Sequence, residues 1–250
     1  MKTLTLFFLF TAGFLCSIAQ DINSYINEGN RLEALPDEKA AFQKFKIALK
    51  LQPGNLYALN KCSELCSRIG NREKDIKSRD NYYAAAVIYA RTALKISPTN
   101  DEANVVMAIA VGRTVLIKSG KEKISAVKDI KHYADIALKT NAQNFKAWHI
   151  LGKWNYEVSN LNMMERAAAK IFFGGLPDAS LKNAISSYEK AKSLNPGFLL
   201  NYLELAKAYK RNDDTGKAIA QLRILLPLPM QTEDDPRIKT EAQKLIKSWE

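Results

Sequence analysis

The sequence predicts an all-α fold in which antiparallel helix pairs stack into a solenoid. The main observation is a recurring series of small, aromatic, small and proline residues, separated by four, three and five positions. It occurs in AFQKFKIALKLQPGN as Ala41, Phe45, Ala48 and Pro53, and again in AISSYEKAKSLNPGF, residues 184–198. The second observation is the composition: 47% hydrophobic and 25% charged residues is an ordinary balance for a globular chain of 250 residues. A fixed internal period predicts units that bury one another's faces.

The N-terminal segment has the features of an export signal. One lysine precedes an apolar run from Leu4 to Leu15, and the small residues Ser17 and Ala19 follow it. The run is shorter than the roughly 20 apolar residues that span a bilayer. We therefore expect residues 1–19 to be a signal peptide and the protein to be bacterial and either periplasmic or secreted. An uncleaved N-terminal membrane anchor is the alternative.

The recurring segments are expected to be the second helices of the pairs. Small residues let two helices approach closely, and proline ends a helix. First helices are expected ahead of them, for example in FKAWHILGKWNY with Trp148, Leu151 and Gly152. This arrangement resembles the tetratricopeptide repeat (TPR), a helix pair of thirty-four residues. The resemblance implies a TPR-like α-solenoid, which is a right-handed superhelix of antiparallel helix pairs.

One repeat domain is expected to cover residues 20–250. We expect its repeats at about 22–55, 56–100, 101–144, 145–198 and 199–232, and a capping helix at 235–249. The spacing from Pro53 to Pro98 is 45 residues, which exceeds the ideal repeat by about three helical turns. We expect this excess to lengthen both helices of the pair by about one and a half turns each.

The fourth repeat needs an insertion. NLNMMERAAAK indicates an added short helix, and the following IFFGGLPDAS indicates a turn because its glycines and Pro177 break helices. Phe172 and Phe173 are expected to fold back on the inserted helix. An exposed apolar patch for a partner or an acyl chain is the alternative.

The C-terminal half has a narrower resemblance. The segments AWHILGKWNYEV, ERAAAKIFFGGLP, AISSYEKAKSLNP and LAKAYKRNDDTGKAI, with an acidic EDD before the last helix, resemble the regulator of microtubule dynamics protein family. The resemblance implies a helical repeat domain that acts through protein or lipid contacts and not through catalysis. A protein exported from a bacterium would not meet microtubules. We therefore expect this chain to share the architecture of the family but not the microtubule role that the family name implies.

A basic concave groove is the candidate binding site. In such solenoids the first helices line the concave side, and repeat positions 2, 5, 9, 12 and 13 point towards it. The candidate residues are Arg113, Lys146, His149, Lys153, Tyr156, Leu203, Lys207, Lys210 and Arg211, with Arg68 at the equivalent place in the second repeat. We expect the groove to bind a protein or an acidic peptide. An anionic lipid or another amphipathic ligand in the same groove is the alternative, and some of these cations are also placed to complement a helix dipole.

Several residues are expected to be structural. Trp148, Leu151 and Gly152 are predicted core residues, and burial of the tryptophan would contribute about 4 to 6 kcal/mol. The sequence leaves open whether Trp154 or Tyr156 faces inward.

Catalysis, cofactors and metals are not expected. The chain has no HExxH, GxSxG or phosphate-binding glycine loop, and its two histidines offer little general-base chemistry. The acidic run Glu233, Asp234 and Asp235 is expected to cap a helix. Cys62 and Cys66 lie four residues apart on a helix and are expected to be small buried residues, neither a disulfide nor metal ligands.

Nucleic acid is not an expected partner. Removal of residues 1–19 leaves 36 basic and 26 acidic residues, a net charge of +10. The lysines are spread along the chain and are not grouped with arginines and aromatics on one module. The sequence makes no prediction of the oligomeric state.

Overall fold

A computed structural model describes residues 21–115 and 120–250 of the chain. The described residues contain helices and no strand. The predicted signal peptide, residues 1–19, lies outside them, and so do the side chains of Phe172 and Phe173, for which a fold-back was predicted.

The described residues form twelve helices. The first, α1, covers 21–34. The others are α2 (Glu38–Leu51), α3 (Leu56–Arg72), α4 (Ile76–Ile96), α5 (Asp101–Val115), α6 (Gly120–Thr140), α7 (Phe145–Ser159), α8 (Met163–Phe173), α9 (Leu181–Leu194), α10 (Leu199–Arg211), α11 (Thr215–Leu225) and α12 (Asp235–Trp249).

The helices stack as antiparallel pairs. The pairs are α1 with α2, α3 with α4, α5 with α6, α7 with α9, and α10 with α11. Each second helix also packs on the first helix of the next pair, and α12 closes the array against α10 and α11. The predicted all-α TPR-like solenoid with a C-terminal capping helix is confirmed.

Close contact within a pair depends on glycine opposite an aromatic ring. A Cβ atom on Gly29 would lie 2.8 Å from the Phe45 ring, one on Gly70 2.9 Å from the Tyr83 ring, and one on Gly152 2.6 Å from the Tyr188 ring. The alanines of the recurring pattern are fully buried on the second helices, as the prediction from the spacing requires: Ala48, Ala93, Ala137 and Ala191.

Trp148 is not a core residue, so that prediction was wrong. Its ring is half-buried at the edge of α7, and its indole N–H donates to the Ala142 carbonyl at 2.9 Å. Trp154 faces inward instead: it is 4% exposed, and its N–H donates to the Val127 carbonyl of α6 at 2.8 Å. The reason is the phase of α7, whose buried face runs through Ala147, Ile150 and Trp154 and leaves Trp148 at its side.

The extra length of the second repeat is shared unequally between its helices. The second helix, α4, has 21 residues, seven more than α2. The first helix, α3, has 17 residues, three more than the 14 of α1. Seven residues are about two helical turns. The predicted equal division was wrong because the distance between two prolines reports only the sum of the two helix lengths.

The inserted helix of the fourth repeat is α8, which packs on α6. Asn162 and Glu165 form a capping box at its start, and Gly174 ends it in the left-handed conformation with φ 69°. Arg166 joins α8 to the end of α7 by donating to the Val158, Ser159 and Leu161 carbonyls. The helix extends to Phe173 and so includes the first residues of the segment that was predicted as a turn.

Cys62 and Cys66 are buried, free thiols, as predicted. Burial raises the pKa of the Cys66 thiol to about 12, which keeps it protonated at neutral pH. Within residues 21–115 and 120–250, no helix combines the length and the apolar character that crossing a bilayer requires.

Replacement of Gly152 by alanine tests the glycine contacts. We expect Gly152→Ala to destabilise the protein by about 1–3 kcal/mol because the new methyl group would overlap the fully buried Tyr188 ring. Gly216→Ala is the matched control: it is also a helical position, but a Cβ there meets nothing within 4 Å. The control should be neutral or stabilising by up to about 1 kcal/mol. Urea unfolding measures both, and equal effects would contradict the packing described.

The two tryptophans of α7 should differ in the same measurement. We expect Trp154→Phe to cost about 1–3 kcal/mol, because it replaces a buried indole by a smaller phenyl ring and removes the hydrogen bond to α6. Trp148→Phe should cost less than about 1 kcal/mol, since its ring is half-exposed. A larger loss for Trp148→Phe would show that the inward face of α7 has been misplaced.

Candidate partner-binding surface

The first helices form the inner layer of the solenoid. Helix α3 contacts α5, α5 contacts α7, and α7 contacts α10, whereas successive second helices do not pack on each other to a comparable extent. An array curves towards the layer whose members lie closer together. The concave face is therefore the open side of the first helices α1, α3, α5, α7 and α10.

The N-terminal part of the concave face is built around Arg68 of α3. Its guanidinium lies 2.8 Å from the Glu33 carboxylate of α1, 3.1 Å from Glu38 of α2 and 3.6 Å from Glu64 of α3 itself. Lys61 shares Glu33 at 2.8 Å. Glu38 is fully buried, and the arginine supplies the charge that its carboxylate needs there.

Lys146 links three first helices. The lysine belongs to α7, and its ammonium lies 3.0 Å from the Glu64 carboxylate of α3 and 3.2 Å from the Glu102 carboxylate of α5. Burial alone would raise the pKa of Glu64, but the charges of Lys146 and Arg68 outweigh it and hold that pKa far below its usual range. These pairs fix the spacing of α3, α5 and α7 on the concave face.

Ion pairs continue along α7 and α10. Lys153 lies 2.7 Å from Glu204 and 3.0 Å from Glu157, and Lys207 lies 3.3 Å from Glu204 and 2.8 Å from Glu241 of α12. Three of the predicted groove cations, Lys146, Lys153 and Lys207, are thus paired with carboxylates of the chain itself. The surface around them carries alternating charges.

Two cations lie close to the Tyr156 ring. The Arg211 guanidinium stands 5.0 Å and the Lys153 ammonium 5.7 Å from the centre of its ring. Arg211 also donates to the Tyr156 carbonyl at 2.7 Å. Lys210 lies apart from them, over the Trp249 ring of α12, and donates to the Thr215 hydroxyl.

His149 and Leu203 serve packing between helices. The Nδ1 atom of His149 is 2.9 Å from the Asn201 side-chain oxygen, and its ring contacts those of Tyr188 and Phe198. Burial lowers the pKa of His149, so the ring is neutral at neutral pH. Leu203 is 1% exposed and belongs to the core under α11 and α12, so its predicted place on the surface was wrong. The repeat position gave the correct helix, but α12 covers that side of it.

Arg113 has no ion pair with a carboxylate of the described residues. Its Nη1 atom donates to the Asn71 side chain at 2.9 Å, and its buried Nε has no hydrogen-bond partner there. Burial lowers the pKa of its guanidinium.

The two ends of the solenoid meet at the acidic run Glu233 and Asp234, which was predicted to cap a helix. Arg72, at the end of α3, lies 2.5 Å from Glu38, 3.0 Å from Glu233 and 3.2 Å from Asp234. The backbone N–H of Glu38 donates to the Glu233 carboxylate at 2.7 Å. Only Asp235 acts as a turn residue, accepting from the Gln231 and Thr232 N–H groups. The acidic run before the last helix was visible in the sequence, but nothing in a single sequence pairs it with Arg72.

Groups of three or more histidine, cysteine or carboxylate side chains placed to hold a metal ion do not occur within the described ranges.

The sequence model of the family described as Regulator of microtubule dynamics protein 1-3 matches residues 25–250. The chain belongs to this family. Human regulator of microtubule dynamics protein 2 is 26% identical over 220 residues, covering 86% of this chain and 50% of the relative. The Caenorhabditis elegans regulator of microtubule dynamics protein 1 is 26% identical over 188 residues, covering 74% of this chain and 80% of the relative. The chain therefore spans about half of the human protein.

The solved structure of TTC0263, a TPR protein of Thermus thermophilus, is similar in fold to this chain. It superposes with a TM-score of 0.66 and 16% identity, covering 89% of this chain and 99% of that one. At this identity the match concerns the fold, and it agrees with the TPR-like arrangement.

The predicted localisation was wrong. The relatives in the regulator family come from animals, including human, cattle and a nematode, and they are not exported bacterial proteins. The error has a physical reason: a short apolar run records hydrophobicity, and hydrophobicity does not identify an organism or a compartment. Microtubules were excluded as a partner because a bacterial exported protein was expected, and that exclusion is therefore withdrawn.

Neutralisation of Glu64 tests the ion pairs of Lys146. We expect Glu64→Gln to destabilise the protein by about 1–3 kcal/mol at pH 7. Because the pKa of Glu64 is lowered on folding, its stabilisation is complete above the unfolded value of about 4.3 and is lost as the pH falls below it. The difference from wild type should therefore shrink in acid.

Glu73→Gln is the control for this experiment, since the ion-pair partner of Glu73 within residues 21–115 and 120–250 is the exposed Lys39. It should cost less than about 1 kcal/mol at either pH. Thermal or urea unfolding at neutral and acidic pH measures both variants. A Glu64→Gln deficit that persists unchanged in acid would contradict the assignment.

Proposed function

We propose that the protein is a non-catalytic scaffold whose concave face binds an acidic segment of a partner protein. The TPR-like fold and the membership of the regulator family support a role in protein interaction. The observation that carries the proposal is the site around Tyr156, where Lys153 and Arg211 flank one aromatic ring on the first helix of the fourth repeat.

Arg211 has free capacity for a carboxylate. A guanidinium has five N–H donors, and Arg211 spends one hydrogen bond on the Tyr156 carbonyl. It forms no ion pair with a carboxylate of the described part of the chain. The contact with the Tyr156 ring and the bond to the Tyr156 carbonyl hold the guanidinium in place, which favours a bidentate bond to an incoming carboxylate.

The neighbouring ion pairs are of the kind that can be exchanged. Lys153 and Glu157 are each about half exposed, at 46% and 56% of their side-chain surface. Half-exposed pairs contribute little net free energy because water competes for both partners. A partner carboxylate can therefore replace Glu157 at Lys153 at small cost, while the fixed row of charges sets the register of binding.

An acidic peptide fits this face better than a lipid. A lipid tail needs an apolar lining. One part of the Tyr156 side chain packs on buried apolar residues such as Tyr188 and Leu205, which are not free to line a groove. The groups over its ring are the cations of Lys153 and Arg211, Lys153 is paired with Glu157 and Glu204, and Leu203 turns into the core. The relatives are named for the regulation of microtubule dynamics, so proteins of the microtubule system are the first partners to examine.

Binding of a labelled peptide of glutamate and glycine, followed by fluorescence anisotropy, tests the proposal. We expect wild-type protein to bind it in low salt and to release it as salt rises. Arg211→Gln should weaken binding by about tenfold, equivalent to about 1.4 kcal/mol. Arg223→Gln is the control, because Arg223 is an exposed arginine on α11 whose partner is Glu250.

A matching peptide of glutamine and glycine should not bind. Equal affinity of the Arg211→Gln and Arg223→Gln proteins, both helical by circular dichroism, would place binding elsewhere. Cosedimentation with polymerised tubulin, compared between the same two variants, then asks whether microtubules present the acidic segment.

A further inference from the structure

The loop before α12 fills an anion site that is formed by Arg72 and the start of α2. The Glu233 carboxylate accepts the Glu38 N–H at the start of α2 and also contacts the Arg72 guanidinium. A helix N-terminus and an arginine are the two usual components of a carboxylate-binding site in proteins. Asp234 occupies the second side of the same guanidinium at 3.2 Å. Two adjacent carboxylates of the chain are thus bound as a ligand would be.

Among the described residues, hydrogen bonds and ion pairs make this contact, and no apolar cluster spans it. Helix α12 packs on α10 and α11 and not to any comparable extent on α2 or α3. Arg72 and Glu233 keep 21% and 31% of their side-chain surface exposed, whereas Asp234 keeps 11% and Glu38 none, so water reaches the Glu233 side of the contact. Without apolar burial to hold it, separation of the two ends requires only the exchange of hydrogen bonds and ion pairs with solvent or with another anion.

The contact also brings several negatively charged carboxylates close together. Three carboxylates, from Glu38, Glu233 and Asp234, meet at Arg72, and Glu38 is fully buried. Burial raises the pKa of Glu38, and the nearby Glu233 carboxylate adds to the rise. Repulsion between Glu38 and Glu233 offsets part of the attraction to Arg72, so the contact is weaker than its number of ion pairs suggests.

The anion site is continuous with the surface proposed for partner binding. Asp234 also contacts Arg237, Arg237 contacts Glu241, and Glu241 contacts Lys207 on α10. Lys207 shares Glu204 with Lys153 beside Tyr156. Displacement of residues 233 and 234 therefore frees cations at one end of a charge row that reaches the Tyr156 site at the other.

We propose that Glu233 and Asp234 are an internal ligand of the anion site formed by Arg72 and the start of α2, and that a partner segment with two adjacent acidic residues displaces them. The inference rests on the proposed function, since it assumes an acidic partner segment. It adds the place where that segment docks and the intramolecular competitor that limits access.

The test uses the full chain with Glu233→Gln and Asp234→Asn combined. These changes keep the size of both side chains and leave Asp235, which holds the turn, intact. The probe is a labelled peptide, LPMQTEDDPR, that copies residues 228–237. We expect the double variant to bind it about tenfold more tightly than wild type, because the internal competitor is gone. Adding Arg72→Lys to the double variant should remove the gain.

Two controls match the charge change and the probe. Glu122→Gln with Asp178→Asn removes the same charge at exposed positions on α6 and before α9, and this protein should bind the peptide as wild type does. The peptide with its Glu233 and Asp234 equivalents changed to glutamine and asparagine should bind none of the proteins.

Hydrogen exchange at the Glu38 amide reports the contact without any peptide. It should be slow in wild type and faster in the double variant, since Glu233→Gln replaces a charged carboxylate acceptor by a neutral amide oxygen that accepts more weakly. Equal exchange in the two proteins, equal peptide affinity in the two proteins, or binding of the neutral peptide would each overturn the proposal. A failure of the proposed function has a different signature: wild type does not bind the glutamate and glycine peptide, while the double variant still binds the copy of residues 228–237.

Discussion

The whole structure depends on how closely the two helices of each pair approach. Gly29, Gly70 and Gly152 each face an aromatic ring of the second helix, and no side chain larger than hydrogen fits between them. A small side chain must face each large one because protein interiors are packed as densely as organic crystals. Once this separation is fixed, the first helices of successive pairs come into contact, and the inner layer and its curvature follow.

The inner layer brings together charges that are far apart in the sequence. Lys146 meets Glu64 and Glu102 because α3, α5 and α7 lie side by side, and Lys153 meets Glu204 because α7 contacts α10. Pairs of this kind add little to stability when they are half exposed, and more when they are buried. Their main effect here is order: each long side chain is held at a set place along the concave face. A surface of ordered, exchangeable charges suits recognition of an extended segment.

The sequence predicted the repeating part of the molecule well and the unique part poorly. Recurring positions such as Ala48, Ala191 and Pro196 mark the second helices, because the packing rule acts at the same place in every pair. Repeat numbering failed at Trp148 and Leu203, where the phase of one helix and the cover of α12 decide exposure.

Polar contacts between side chains of different repeats could not be predicted from the sequence. Glu64 and Lys146 are 82 positions apart, and Glu38 and Glu233 are 195 apart. A single sequence gives the charge of each of these residues but not the curvature that joins them. For the same reason the candidate site could be placed on the first helices, while its network of partners, including the acidic loop, could not be foreseen.

Contact between the first repeat and the loop after the fifth limits how this chain can change in length. In an open solenoid each unit touches only its neighbours, so duplication or loss of a unit merely lengthens or shortens the array. Here an added unit would carry Glu233 away from the start of α2 by the rise of one repeat. The number of repeats is therefore tied to the joining of the ends, and an addition that keeps this contact is one such as α8, which rests on the second helix α6 and lies outside the inner layer.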